Sequence, residues 1–278
     1  MKKFMGIVIF TAALTMLAGC SSNTRSEDNN TDATVISEET TEVSEEATVT
    51  LAAAASLEYA FTDELIPMFE EENPGITVEG TYDSSGKLQT QIESGLDADI
   101  FFSAATKQMD ALNEEGLVVS DSITELLENK IVLIVPSESE NEEIQSFEDI
   151  TKAEMIALGD PESVPVGQYS EESLTNLGIW NEIQDKVSFG TNVTEVLNWV
   201  AESSAECGIV YATDAATTDK VRIIAEAPEE SLSSPVVYPV ARLNDDEAAE
   251  KFFDFICSDE AMAVFEEYGF SDNRQSRN

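Results

Sequence analysis

The run Ala52-Ala53-Ala54-Ala55-Ser56-Leu57 ends an apolar stretch and opens a helical pattern. Small residues there let the backbone approach a ligand closely, and Ser56 sits beside the first helical N–H groups. Those groups lack intrahelical partners and carry the positive end of the helix dipole, so the chemistry on offer is capture of an anion by hydrogen-bond donors. Ser84-Ser85-Gly86 repeats the arrangement after a second strand-like stretch, with Ser84 and Ser85 competing as donors. The connection from Gly159 to Tyr169 holds two prolines and two glycines before another helical pattern, and its N–H groups could face the same crevice. Asn192-Val193 opens one more helix, and Tyr211 ends a strand with a hydroxyl able to donate.

Each of these residues also has a plain structural role open to it. Ser56 can cap its own helix, Ser84 to Gly86 can form an ordinary turn, and Val193 and Tyr211 suit a core. Asp83 reads as a turn or capping residue, and Lys87 as an exposed helix lysine.

The elements that must position these residues alternate. Val49 to Ala52 is strand-like and is followed by a helix with Leu57, Phe61, Leu65, Met68 and Phe69 on one face, closed by Asn73-Pro74-Gly75. A strand over 76–82, a helix with Leu88 and Ile92, the strand Asp99 to Ser103 and a helix with Met109 and Leu112 complete a βαβ rhythm. A second set follows: strands at 131–135 and 155–158, a helix over 168–177, a strand at 187–189, the Val193 to Val200 helix, and Gly208 to Tyr211. Strands at 221–225 and 236–241 precede C-terminal helices with Phe252, Phe255, Ile256 and Phe265. In open parallel sheets consecutive strand ends face one crevice, so Ser56 and Ser85 are expected to converge. The expected fold is α/β in two lobes, each a mainly parallel sheet flanked by helices. Prolines at Val135-Pro136 and Tyr238-Pro239 are expected to mark a two-strand hinge, giving a first lobe of 48–134 plus 239–278 and a second of 135–238.

Composition limits the rest. With 14 Lys plus Arg against 56 Asp plus Glu the formal net charge is −42, which disfavours nucleic acid as a partner. The chain has no histidine, so a His-dependent catalytic triad or a His-ligated zinc is excluded. Three cysteines are present. Cys207 and Cys257 suit a disulfide or two buried thiols, while Cys20 ends Leu17-Ala18-Gly19-Cys20 after a short apolar run. That run follows Lys2 and Lys3 and is too short to span a bilayer comfortably, so 1–19 reads as a lipoprotein signal peptide, with Cys20 lipidated. The polar, acid-rich stretch over 20–47 reads as a disordered tether, and the mature protein as extracytoplasmic and held to the cell membrane by lipid.

Together Ala53-Ala54-Ala55-Ser56-Leu57, Gly159-Asp160-Pro161-Glu162 with Val164-Pro165-Val166-Gly167, Gly208-Ile209-Val210-Tyr211, Tyr238-Pro239-Val240-Ala241 and Tyr268-Gly269-Phe270 resemble the molybdate-binding proteins of ABC transporters, a branch of the periplasmic binding protein superfamily. The resemblance runs from Val49 to Phe270. It implies a monomeric binding protein that closes on molybdate or tungstate and delivers it to a membrane permease and its ATPase. Carried over by motif, the ligand contacts fall on Ser56, Ser85, Val166, Val193 and Tyr211, with Ser84 as a possible addition. Val166 stands where the family has Ala, which a backbone N–H donor tolerates. Metal enters only as the centre of the oxyanion, without direct protein ligands, and neither a cofactor nor an enzymatic activity is implied. Sulfate, which differs from molybdate mainly in size, and phosphate remain open, the latter because Asp83 beside the serines could accept a proton from hydrogen phosphate. A carboxylate-dependent extracellular hydrolase and an adhesion lipoprotein are more remote readings.

Overall fold

Strand β1 (Ala47–Ala54) shows why the sequence builds layers. Val49, Leu51 and Ala53 point to one face and Ala52 to the other, and all four are buried, because helices cover both sides. The computed structural model describes residues 46–274 apart from 141, all within one compact unit. The signal segment, Cys20 and nearly all of the tether lie outside the described residues.

The helix expected after β1 is broken into a 3-10 turn (Ala55–Leu57), α1 (Glu58–Ala60), a wide π turn (Phe61–Leu65) and α2 (Ile66–Glu72). Pro67 explains part of this, since it has no N–H and its ring crowds the carbonyl four residues back. Next come β2 (Ile76–Asp83), α3 (Ser85–Glu93), β3 (Ile100–Phe102), α4 (Thr106–Glu114) and β4 (Thr124–Asn129), the last a strand that its acid-rich sequence conceals.

The second lobe contains β5 (Ile131–Pro136), β6 (Ile156–Gly159), α5 (Pro165–Asn176), α6 (Trp180–Ile183), β7 (Val187–Gly190), α7 (Val193–Ala201), β8 (Cys207–Tyr211), α8 (Ala212–Ala216) and β9 (Val221–Glu226). Helix α5 starts three residues earlier than its apolar pattern suggests, because Pro165 occupies the first turn, where a missing N–H costs nothing. The chain then returns through β10 (Val236–Arg242), α9 (Glu247–Ile256), α10 (Asp259–Glu267) and β11 (Ser271–Asp272).

The first sheet runs β11-β4-β10-β3-β1-β2 and the second β7-β6-β8-β5-β9. Both are mixed rather than mainly parallel. Parallel pairing joins β2, β1 and β3 in the first sheet and β7, β6 and β8 in the second, and the remaining ladders are antiparallel. The passages between sheets also differ from the proline-based expectation. The chain leaves the first sheet at Asn129 and enters the second at Ile131, and returns between Glu226 and Val236. Pro136 merely closes β5, and Pro239 sits in β10, where the register against β4 shifts. Both prolines therefore mark irregular strand positions, so 131–134 pass to the second lobe and 236–238 to the first.

Aromatic residues fill one face of the first sheet. Phe61 meets Phe102, Phe252 and Phe265 edge-on at ring separations of 6.1, 6.2 and 5.7 Å. Truncating such a buried phenylalanine costs about 3–5 kcal/mol. The opposite face is packed by Leu88 and Ile92 of α3 and Met109 and Leu112 of α4. Cys207 in β8 and Cys257 after α9 are both free thiols.

Candidate functional site

The C-terminal ends of β1 and β2 and the starts of α3, α5 and α7 surround one small cavity. Ser56, Ser84, Ser85, Val166, Val193 and Tyr211 all line it. The parallel pairing of β1 with β2 sets the first two helix starts side by side, since Ala54 is in register with Asp83.

Ser56 does not cap its helix. Its hydroxyl instead shares a hydrogen bond of 3.0 Å with Tyr238 of β10. Ser84 occupies the N-cap of α3 in extended backbone, yet its Oγ is buried and has no hydrogen-bond partner among the described residues. Ser85 is fully buried, and its Oγ accepts the Ala104 N–H at 2.9 Å, which leaves its own proton to donate. Val166 lies in the first turn of α5 and Val193 is the first residue of α7, where the N–H groups lack intrahelical acceptors. The Asn192 side chain fixes the start of α7 by accepting the Glu195 N–H at 2.9 Å.

Tyr211 ends β8 with its hydroxyl buried and unpartnered among the described residues. Burial, with the neighbouring Tyr238 adding to it, holds this phenol well above its ordinary value, so it is a neutral donor. An orphaned buried hydroxyl costs about 1–3 kcal/mol, and here two of them belong to residues that line one cavity, where they can donate to an anion.

Three features were not legible from spacing. Tyr238, read as a hinge residue, is fully buried and also accepts from Asn129 Nδ2 at 3.3 Å. Asn129 donates to Thr213 as well, at 2.9 Å, and so joins the two lobes behind the cavity. Its only sequence signal is a polar side chain ending a strand. Asp83 lines the cavity too, but it is not a free carboxylate: Ser84 N donates to its Oδ1 at 2.8 Å and Lys87 Nζ at 3.1 Å. Lys87 is thus drawn to the site's edge rather than standing free in solvent.

The lobes also touch directly around the cavity. Gly86 N–H donates to the Ser163 carbonyl at 3.0 Å, and a β-carbon at Gly86 would collide with that oxygen. Gln108 Nε2 of α4 donates to Gln168 Oε1 of α5 at 3.2 Å. The arrangement is that of two halves shut over a small chamber lined with donors. Among the described residues no cluster of His, Cys, Asp or Glu is suited to a metal ion.

Residues 49–271 match the family described as bacterial extracellular solute-binding protein. The chain is 40% identical over 269 residues to YvgL of Bacillus subtilis, provisionally named an ABC transporter substrate-binding lipoprotein, covering 95% of this chain and 97% of that one. It is 37% identical over 235 residues to the molybdate-binding protein ModA of Haemophilus influenzae, covering 81% of this chain and 90% of that one. The solved periplasmic molybdate-binding protein of Azotobacter vinelandii superposes with a TM-score of 0.68 at 21% identity, over 80% of this chain and 98% of that one, which supports the fold.

Proposed function

This chain belongs to the bacterial extracellular solute-binding proteins, and on that premise we propose that it captures molybdate or tungstate and delivers it to the permease and ATPase of an ABC importer. The observation that carries the reading is the pair of buried, unpartnered hydroxyls on Ser84 and Tyr211, two residues that line one chamber with Ser56, Ser85 and two helix starts. A fully deprotonated dianion offers only acceptors, and here the groups left free are donors. Each hydrogen bond to the ion would contribute about 1.5–3 kcal/mol, so a handful offsets the loss of hydration without a buried Arg or Lys.

Asp83 argues for molybdate over hydrogen phosphate. Its negative charge is paired with Lys87 and its Oδ1 accepts from Ser84 N, so the carboxylate beside the chamber is offset within the protein and repels a fully deprotonated ion less. Closure over the ion would favour the shut arrangement and present the importer with a defined surface. Lipidation of Cys20 would hold the protein beside that importer, in keeping with the lipoprotein name of YvgL.

Thermal shift of the purified protein against molybdate, tungstate, sulfate, phosphate and chloride tests the assignment, since a ligand of the folded state raises its melting temperature. Molybdate and tungstate are expected to give the largest rises. A larger rise with sulfate or phosphate would overturn it.

A further inference from the structure

We propose that Asp83 and Asn192 form a latch between the lobes that positions the start of α7 over the oxyanion and slows its escape. Asn192 Nδ2 donates to Asp83 Oδ1 at 3.3 Å, joining residues 109 positions apart at the ends of β2 and the start of α7. One asparagine serves two tasks. Its Oδ1 caps α7 by accepting from Glu195 N, while its amide hydrogens reach across to the other lobe. Val193, the next residue, lines the chamber and opens α7, so a shift of Asn192 moves with it the N–H that this reading assigns to the ligand. Asp83 is held for this role by Lys87, at 3.1 Å one helical turn on, and by its own neighbour Ser84 N. The Lys87 charge also offsets a carboxylate that would otherwise repel an anion in the chamber.

The inference rests on the molybdate reading for its ligand. It is tested on the full chain with Asn192→Ser, which keeps a capping oxygen but loses the reach, Asn192→Asp, which keeps the cap and sets two carboxylates against each other, and the exchanged pair Asp83→Asn with Asn192→Asp. Molybdate affinity and dissociation rate are measured, with the radius of gyration by small-angle scattering. The single Asn192 variants are expected to weaken binding by about three- to tenfold, mainly through faster dissociation. The exchanged pair restores a donor and an acceptor and is expected to recover most of the loss. An exchanged pair no better than Asn192→Asp alone, or single variants that bind like wild type, would overturn the latch. If wild type itself ignores molybdate, the functional reading falls, and the ligand-free radius still decides the latch: it should rise in Asn192→Asp and fall back in the exchanged pair, and equal radii would overturn it.

Discussion

Ser56 Oγ and Tyr238 Oη share a hydrogen bond of 3.0 Å across 182 positions of sequence. Because Asn129 Nδ2 donates to the same Tyr238 oxygen, the tyrosine proton is free to point at Ser56, and the Ser56 proton at the chamber. On the proposed function, a side chain outside the ligand contacts therefore aims one that belongs to them.

Tyr238→Phe should weaken molybdate binding by about three- to tenfold and lower the melting temperature by about 2–4 °C, the loss of roughly 1 kcal/mol of hydrogen bonding. Calorimetry and a thermal melt check the two effects. Unchanged affinity would show that Ser56 needs no such aiming.

Tyr211→Phe separates binding from folding. The Tyr211 hydroxyl has no partner among the described residues, so its removal should leave the ligand-free melting temperature unchanged or slightly raised while binding weakens about tenfold or more. Ser56→Ala should weaken binding to a similar degree. If both variants keep wild-type affinity, these donors are misassigned.

The adjacent serines should differ in the opposite sense. Ser85→Ala removes the acceptor of Ala104 N–H and is expected to cost about 1–3 kcal/mol of stability, whereas Ser84→Ala deletes an unpaired hydroxyl and should be close to neutral without ligand. Urea unfolding of the two variants gives the comparison, and equal destabilisation would contradict it.

Asp214 should tie stability to pH. Burial pushes its carboxyl from an ordinary 3.8 up to about 8, only partly offset by the N–H groups of Asp214 and Tyr211. Between those values the folded protein holds a proton that the unfolded chain has released. Its contribution is therefore complete below about pH 4 and lost as pH rises towards 8. Asp214→Asn cannot titrate, so its stability relative to wild type should climb between pH 5 and pH 8 in denaturant melts. A constant difference across that range would assign the slope to other groups.

Much of the chamber was legible because its parts are local. A run of alanines before Ser56, two serines before Gly86 and a proline before Val166 each announce a strand giving way to a helix, and parallel pairing does the rest. The lobe boundary was misread because proline is a loud signal with more than one meaning, whereas the true crossing at Lys130 carries no backbone punctuation. Strand β4 hides among acids because only Leu126 and Leu127 and the end residue Asn129 are buried. The links of Asp83 to Asn192 and Ser56 to Tyr238 join distant segments, and no local pattern encodes such meetings.

Strand β10 lies between β3 and β4, so the sheet that presents Ser56 is held together by residues made only after every strand of the second sheet. The second sheet draws on one uninterrupted stretch, Ile131 to Glu226. A chain emerging residue by residue can assemble that half while the serine-bearing half still lacks its central plank. A premature stop between Glu226 and Val236 would therefore spare the whole second sheet yet leave the serine-bearing sheet without the strand that joins β3 to β4.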